Sequence, residues 1–338
     1  MTGSVCLSRD LTMMALALKL AARGQYTCMP NPAVGCVIAR ADTVVGEGWH
    51  EFAGQPHAEV NALHDAGELA RGATAYVTLE PCSHFGRTPP CADALIAAGV
   101  ARIVYGMTDP NPNVSGSGLK KLRQAGVVVD GPILEVEAQQ LNRGFVKRQK
   151  QALPWLTVKL AMSLDGRTAM ESGESQWITG SAARQDVQRL RAKNCAVVTG
   201  IGTVLHDNPS LTVRSDELGL KNAVEVAARQ PLRVVVDSQL QTPADANVLS
   251  AEGSILIVTA CERAQHDDVE VVCLAGGDDL VDLPALLTLL AERECNNVLV
   301  EAGAELAGAY LQAGLVDELI VYMAPKLLGS SDLPLLSL

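Results

Sequence analysis

The sequence predicts an α/β protein of two domains, and three observations lead to this expectation. Short apolar runs that suit strands alternate with segments of helical periodicity along the whole chain. A polar segment at 147–151 interrupts this alternation, and a new apolar strand follows it. The length of 338 residues is close to that of two ordinary domains. We therefore expect one domain over residues 1–150 and a second over 151–338.

In the first half, the pattern predicts a three-layer arrangement of helices and strands. Apolar positions over 10–22 suit a buried helix, and the Pro30-Asn31-Pro32 break precedes a strand over 34–38. A second extended piece lies near Val44. The remaining predicted elements are a helix from 57, a strand at 75–79, a helix from 91, a strand at 101–106, a helix at 118–125, a strand at 127–129 and a helix at 135–147.

The second half repeats the alternation with different spacing, and no internal repeat relates the two halves. A polar stretch at 215–230 is expected to be a surface excursion. The predicted strands are 155–160, 196–199, 232–236, 255–258, 269–273, 297–300 and 318–322, with helices starting at 182, 283 and 304.

Composition limits the classes of function. The nine cysteines lack disulfide-scaffold spacing and no secretory signal precedes them, so we expect free thiols in the cytoplasm. No apolar run approaches the roughly 20 residues that span a bilayer, so no membrane partner is expected. A formal net charge of −11 disfavours nucleic-acid binding, which needs clustered basic residues.

The most informative residues are His57, Cys82 and Cys91, with Glu59 two positions beyond the histidine. One imidazole and two thiols are a donor set that suits zinc, and catalytic zinc sites use three protein ligands and leave the fourth position open. A carboxylate beside the metal can move a proton from the attacking water to a leaving amine. A His, a non-ligand Glu and a Pro-Cys pair are the signature of nucleobase deaminases. The pattern thus predicts zinc bound by His57, Cys82 and Cys91, with Glu59 as the catalytic acid and base.

Two other interpretations of these residues remain open. His57 can be a helix cap and both cysteines core thiols, since free cysteine is often buried. Alternatively, the zinc is structural and a fourth ligand such as His84, in the long insert between the cysteines, closes the site.

Further motifs resemble one family in particular, the bifunctional riboflavin-biosynthesis deaminase/reductases. The resemblance rests on Leu79-Glu80-Pro81-Cys82-Ser83-His84, on Ser163-Leu164-Asp165-Gly166-Arg167 and on the run from Gly173 to Thr179. It implies a cytidine-deaminase-like first domain and a dihydrofolate-reductase-like second domain. The first removes an amino group from a phosphoribosylaminopyrimidine with the help of zinc, and the second uses NADPH to reduce the ribosyl group of the product to ribityl. It also implies a homodimer formed through the reductase half, and further strand-forming sequence beyond Leu338.

The resemblance also assigns residues. The residues expected to contact NADPH are Ala161, Trp177, Thr203, Asp207 and Ser238 and the run Gly303, Ala304, Glu305, Leu306, Ala307, Gly308 and Ala309. The residues expected to bind the substrate of the reductase are Ser175, Arg191, Leu211, Arg214 and Glu301. The two arginines suit a phosphate, because a guanidinium matches phosphate oxygens.

Three more residues are weaker candidates. Asn31 can form hydrogen bonds with the pyrimidine edge, and His50 can contact a substrate oxygen. Lys159 can hold sugar oxygens during hydride transfer. The alternatives are a turn residue for Asn31, a half-buried histidine bonded to backbone for His50 and an edge-strand charge for Lys159. Trp177 can equally be core, Ser238 a turn residue, and the arginines partners of nearby acids.

Of two glycine-containing runs in the second half, one suits a phosphate-binding site and the other does not. The run from Val298 to Ala309 reads as a strand, a glycine turn and a small-residue helix start, which can bring N–H groups against a phosphate. The run Gly200-Ile201-Gly202 lacks the third glycine of the dinucleotide fingerprint, so it supports no such site.

A competing hypothesis makes the first domain a nucleic-acid-editing module that flips a base into the zinc pocket, and the acidic charge argues against it.

Overall fold

The computed structural model describes residues 2–83, 89–112, 114–169, 180–262, 266, 269–329 and 333–337. The chain divides into two compact units, Met1–Gln151 and Ala152–Leu338. In the part of the chain that is described, no helix has the length and apolar character needed to cross a bilayer.

Unit one is built around a sheet of strand order β2-β1-β3-β4-β5. Its helices are α1 (Thr2–Ala21), α2 (Ala58–Ala66), α3 (Cys91–Ala97), α4 (Ser117–Gln124), α5 (Glu135–Leu141) and α6 (Arg143–Gln151), and its strands are β1 (Gly35–Arg40), β2 (Thr43–Trp49), β3 (Thr74–Leu79), β4 (Arg102–Met107) and β5 (Val128–Asp130). β1 is antiparallel to β2 and β3, and β3, β4 and β5 are parallel.

The two faces of this sheet carry separate cores, which makes the unit three-layered. Cys36, Ile38 and Val77 point to the face covered by α2 and α3. Val37 and Tyr76, one position along in each strand, point to the face covered by α1. Because both faces are buried, the strands read as continuous apolar runs rather than as alternating ones.

Gly48 lets α2 lie directly against β2. A Cβ at this position would lie 2.4 Å from the Ala58 oxygen and 2.4 Å from the Ala62 nitrogen, both in the backbone of α2. The contact matters because α2 begins one residue after His57 and carries Glu59 in its first turn.

We expect Gly48→Ala to lower the free energy of unfolding of unit one by about 1–3 kcal/mol, because the added methyl group must displace α2. Differential scanning calorimetry of the full chain measures this. Thr43→Ala, at the exposed start of the same strand, is the control and is expected to change stability by under about 0.5 kcal/mol. Equal effects of the two substitutions would contradict the close packing of α2 on β2.

Unit two is built around a parallel sheet of order β11-β10-β9-β8-β12-β6-β13, with a separate short pair, β7 and β14. Its helices are α7 (Ser181–Ala192), α8 (Ile201–Asp207), α9 (Ser215–Leu218), α10 (Ala223–Ala227), α11 (Asn247–Ser250), α12 (Leu283–Glu292) and α13 (Ala304–Gln312), and its strands are β6 (Trp155–Ser163), β7 (Arg167–Ala169), β8 (Ala196–Gly200), β9 (Leu232–Val236), β10 (Ile255–Thr259), β11 (Glu270–Cys273), β12 (Asn297–Glu301), β13 (Glu318–Ala324) and β14 (Leu333–Pro334).

The parallel order determines where polar residues gather in unit two. Val198, Val234 and Val300 are fully buried in one core and Val197, Val235 and Leu299 in another, so both faces of the sheet are covered. In open parallel sheets ligands bind at the carboxyl ends of the strands. The neighbouring strands β9, β8, β12 and β6 all end at that edge.

The α/β class with a three-layer first unit is confirmed, and the structure corrects some of the predicted elements. The first helix starts at Thr2 rather than at residue 10, and the predicted helix at 135–147 is two helices, α5 and α6. The polar stretch at 215–230 lies mostly at the surface and holds the short helices α9 and α10, which were not predicted. Both are too short to give an apolar period, with four and five residues.

Candidate functional site

Three side chains that the sequence predicts as metal ligands meet in unit one. The donor atoms of His57, Cys82 and Cys91 all lie within 4.8 Å of one another. His57 Nδ1 is 3.2 Å from Cys91 Sγ and 3.7 Å from Cys82 Sγ. A tetrahedral zinc ion with normal Zn–N and Zn–S bonds holds such atoms about 3.5 Å apart. The spacing therefore fits a zinc ion at the centre of the triad.

Each donor is held by a different element of the fold. His57 is the N-cap residue of α2, Cys91 is the first residue of α3, and Cys82 lies in the loop that follows β3. The two helices pack against each other, which brings their N-terminal ends together. The positive ends of both helix dipoles favour thiolate at this point.

The two thiols shift each other's pKa in opposite directions. The Cys91 thiol, against the effect of burial, and the His57 ring lower the pKa of Cys82 to about 4. The Cys82 side chain and burial raise the pKa of Cys91 far above its usual value. A bound cation favours deprotonation of both, since metal ligation requires thiolate.

Glu59 lies beside the triad in a buried position. Its side chain is 3 % exposed, and burial raises its pKa to about 7, against the lowering effect of His57. A carboxyl group whose pKa is near neutrality can both accept and release a proton at physiological pH. Its position and environment suit the acid and base role predicted from the sequence.

Asn31 and His50 form a hydrogen-bonded pair next to the triad. The Asn31 amide donates to His50 Nε2 over 3.0 Å, and His50 Nδ1–H donates to the Pro56 carbonyl over 3.2 Å. The His50 ring is 2 % exposed and meets the His57 ring edge to face at 5.3 Å. Both His50 nitrogens therefore have protein partners, which favours the backbone-bonded histidine over a direct contact to substrate.

Several predicted residues lie outside the described part of the chain. They are His84, Ser175 and Trp177.

In unit two, predicted cofactor and substrate residues gather at the carboxyl edge of the sheet. Thr203 follows β8 within the first turn of α8, Ser238 follows β9, and Glu301 ends β12. Ala161 lies near the end of β6, opposite Tyr322 of β13. Asp207 is exposed at the end of α8, and Leu211 is buried with a φ of 56°.

The predicted cofactor segment 303–309 is the start of a helix, as the sequence pattern predicts. Gly303 is the N-cap residue of α13, and the N–H groups of the first helical turn have no intrahelical acceptor. Ala307 and Gly308 are buried, and the Ser337 carbonyl lies against the side of Gly308 where a Cβ would be. The exposed end of this segment is therefore Gly303 and the residues just after it.

Arg191 and Glu301 form a buried ion pair. Arg191 Nε and Nη2 donate to the two Glu301 oxygens over 2.5 and 3.0 Å, and Nη1 donates to the Thr212 carbonyl. Their side chains are 13 % and 9 % exposed. Burial would raise the pKa of Glu301, but Arg191 and Lys159 lower it below its usual value. Arg191 is thus engaged with protein acceptors, whereas Arg214 forms an exposed pair with Glu217.

We expect Arg191→Met to lower the stability of unit two by about 3 kcal/mol, because it leaves the Glu301 charge buried without a partner. The double variant Arg191→Met, Glu301→Leu should regain most of this loss. Calorimetry of the full chain measures both. Arg214→Met is the matched control at a solvated pair, with an expected loss under about 1 kcal/mol. A double variant as unstable as Arg191→Met would contradict the explanation.

Lys159 lies beside this ion pair in the sheet. It is opposite Glu301 in the β6–β12 register, and its Nζ is 5.9 Å from the centre of the Tyr322 ring. The Tyr322 hydroxyl donates to Asp186 over 2.6 Å. Lys159 therefore lies among charged groups beside the carboxyl end of β12. Tyr322 and Asp186 lie near it, and the sequence analysis did not predict them.

Two buried polar atoms at the same edge have no protein partner among the described residues. They are Thr199 Oγ1, at the end of β8, and Asp237 Oδ1, directly after β9. The other Asp237 oxygen accepts the Thr242 N–H and hydroxyl, each over 2.7 Å. Buried polar atoms normally have a hydrogen-bond partner, so these two favour a bound polar ligand at this edge.

Comparisons with known proteins support these assignments. Residues 7–107 match the cytidine and deoxycytidylate deaminase zinc-binding region, and with the donor triad they define unit one as a zinc-binding deaminase. Residues 154–337 match the RibD C-terminal domain. The chain belongs to the RibD family of riboflavin biosynthesis proteins.

Individual relatives cover nearly the whole chain. The RibD protein of Escherichia coli is 53 % identical over 95 % of this chain and 89 % of its own length, and that of Aquifex aeolicus is 42 % identical over 95 % and 88 %. The Acinetobacter baumannii RibD structure superposes with a TM-score of 0.90 at 47 % identity, covering 98 % of this chain and 91 % of its own. A deaminase/reductase structure from Thermotoga maritima gives 0.85 at 34 % identity, covering 97 % and 90 %. The resemblance seen in the sequence motifs is confirmed.

Proposed function

We propose that this chain catalyses two reactions of riboflavin biosynthesis. Unit one deaminates 2,5-diamino-6-(5-phosphoribosylamino)pyrimidin-4-one, and unit two reduces the ribosyl group of 5-amino-6-(5-phosphoribosylamino)uracil to ribityl. The Thermotoga maritima relative is named as a diaminohydroxyphosphoribosylaminopyrimidine deaminase and 5-amino-6-(5-phosphoribosylamino)uracil reductase. The observation that carries the proposal is the donor triad beside a buried Glu59.

The first reaction uses zinc held by His57, Cys82 and Cys91. When bound, zinc supplies Lewis acidity that activates water for attack on the pyrimidine C2. The Glu59 carboxylate takes the proton that the attacking water loses and then gives it to the departing amino group. Burial of Glu59 excludes bulk water, so the proton stays at the carboxyl oxygens between the two steps.

Asn31 is positioned to orient the pyrimidine. Its amide nitrogen donates to His50, so its orientation is fixed and the carbonyl oxygen is left to accept a hydrogen bond. A pyrimidine amino group is a suitable donor for that oxygen. In this proposal His50 acts on the substrate only through Asn31.

The second reaction uses NADPH, which supplies hydride to the sugar carbon. The N–H groups at the start of α13 suit a phosphate of the cofactor, and the unpartnered Thr199 and Asp237 atoms suit its polar groups. Lys159, in the middle of β6, lies opposite Glu301 at the end of β12, and its ammonium group can hold the sugar oxygens. We propose the remaining contacts as the sequence resemblance assigns them, with Arg214 as the phosphate partner because Arg191 is engaged by Glu301.

The test of this function is a pair of assays on the full chain. The diamino substrate should release ammonia without NADPH, and the deaminated product should oxidise NADPH. Zinc chelation should stop the first reaction and leave the second unchanged. Ammonia release that survives complete removal of zinc would contradict the deaminase proposal, and absence of NADPH oxidation would contradict the reductase proposal.

We further propose a cytoplasmic homodimer formed through unit two, with no nucleic-acid partner. Support comes from β13, which lies at an edge of the described sheet and exposes Leu319 and Met323. An apolar edge strand is normally covered. Light scattering should give twice the chain mass, and Leu319→Lys should shift it toward the monomer. A monomeric unmodified chain at micromolar concentration would contradict the dimer.

A further inference from the structure

Glu80 carries a buried carboxylate that accepts hydrogen bonds from one segment of backbone. Its Oε2 accepts the N–H of Asp109 over 3.2 Å and of Gly116 over 2.9 Å. Its Oε1 accepts the N–H of Gly118 over 2.9 Å and of Leu119 over 3.4 Å. The residue is 4 % exposed. Four backbone donors thus converge on one side chain.

The same backbone segment also contacts the residues on either side of Cys82. The Pro81 carbonyl lies so close to Gly118 that a Cβ there would be 1.9 Å from its oxygen. The Ser83 hydroxyl is 2.7 Å from the Ser117 hydroxyl, and Ser117 donates to the Val114 carbonyl. Residues 80, 81 and 83 are therefore all attached to the segment that ends in α4.

Cys82 depends on such attachments because it lies in irregular structure after β3. Its own contacts tie it to α3: the Cys91 N–H donates to Cys82 Sγ over 3.3 Å, and the Ala92 N–H donates to the Cys82 carbonyl over 3.1 Å. These bonds fix Cys82 relative to Cys91. The Glu80 N–H donates to the Met107 carbonyl, which ties the loop to the end of β4.

A carboxylate is the side chain that satisfies this arrangement. Both Glu80 oxygens face backbone N–H donors, so each must be an acceptor. In glutamine one of these positions would be an NH2 group facing two donors, and two backbone N–H groups would lose their acceptor. The negative charge also favours the N-terminal end of α4.

We propose that Glu80 is a positioning residue for the zinc ligand Cys82, an inference that rests on the proposed deaminase function. Glu80 attaches the loop to the 109–119 segment and so places the Cys82 sulfur where it meets His57 and Cys91. It acts through Cys82 and is not one of the three donors.

The direct test compares zinc affinity of the full chain and of Glu80→Gln by competition with a chromophoric chelator. We expect the variant to bind zinc about 10-fold more weakly or worse, since supporting residues of metal ligands typically contribute 10- to 100-fold. The cobalt-substituted variant should show shifted d–d and thiolate charge-transfer bands. Glu68→Gln, at an exposed carboxylate of the same unit, is the matched control and should keep both properties.

A second variant tests the same placement without a change of charge. Gly118→Ala adds a methyl group that must push the Pro81 carbonyl away, and we expect weaker zinc binding and a similar cobalt spectrum to that of Glu80→Gln. The unmodified chain gives an independent measurement. Removing zinc should speed amide exchange at Gly116 and Gly118, and leave the Ile133 amide, bonded to the Tyr105 carbonyl, unchanged.

The outcomes separate this inference from the proposed function. A chain that binds no zinc at all would contradict the proposed deaminase function itself. A chain that binds zinc, with Glu80→Gln and Gly118→Ala matching it within twofold and with unchanged cobalt spectra, would overturn the role of Glu80 alone. If Glu80→Gln fails to fold, Gly118→Ala and the amide exchange decide the question in the same way.

Discussion

Replacing Glu59 by glutamine is expected to slow ammonia release by about 10²- to 10⁴-fold, the range that a general acid and base contributes. Glutamine keeps the size and burial of the side chain and cannot carry a proton from the water to the leaving amine. Steady-state assays of ammonia release on the diamino substrate measure the effect, which should fall on kcat rather than on KM.

Three measurements make this result specific. Zinc content should stay unchanged in Glu59→Gln, because Glu59 is not one of the three donors. NADPH oxidation on the deaminated substrate should also stay unchanged, because that chemistry belongs to unit two. Glu47→Gln, at an exposed carboxylate of β2, should keep full deaminase activity. A rate for Glu59→Gln within tenfold of the unmodified chain would remove Glu59 from the mechanism.

Replacing Cys91 by alanine is expected to have the other large effect, loss of zinc and of deamination together. Cys91 supplies one of three protein donors and lies 3.2 Å from His57 Nδ1, so its loss leaves two ligands that cannot hold the metal. We expect zinc affinity to fall by more than about 10³-fold. Metal analysis after dialysis and the ammonia assay measure the two consequences.

The control for Cys91→Ala is Cys261→Ala, which removes an exposed thiol of unit two. It should leave zinc content and ammonia release unchanged. NADPH oxidation should persist in Cys91→Ala, which shows that unit two remains folded. Retention of a full equivalent of zinc by Cys91→Ala would mean that another side chain completes the site.

Much of the first site could be predicted from the sequence because metal chemistry restricts residue types. One imidazole and two thiols with a carboxylate two positions from the histidine have few other uses, and the structure brings the three donors together. The strands were also predictable, since strands buried on both faces, such as β3, read as uninterrupted apolar runs.

What could not be predicted depends on contacts between distant residues. His50 and Asn31 are 19 positions apart, and nothing in either local sequence shows that they hydrogen-bond to each other. The Arg191–Glu301 pair spans 110 positions, so the engagement of Arg191 was equally hidden. Glu80 was visible only as a carboxylate at the end of an apolar strand, and its four donors come from residues 109–119.

X-ray absorption at the zinc edge of the purified full chain tests the central claim most directly. An open catalytic site predicts two sulfur ligands at about 2.3 Å, one imidazole nitrogen at about 2.0–2.1 Å and one further light atom from solvent. A second imidazole or a third sulfur in the coordination sphere would show a closed, structural zinc site and contradict the deaminase account.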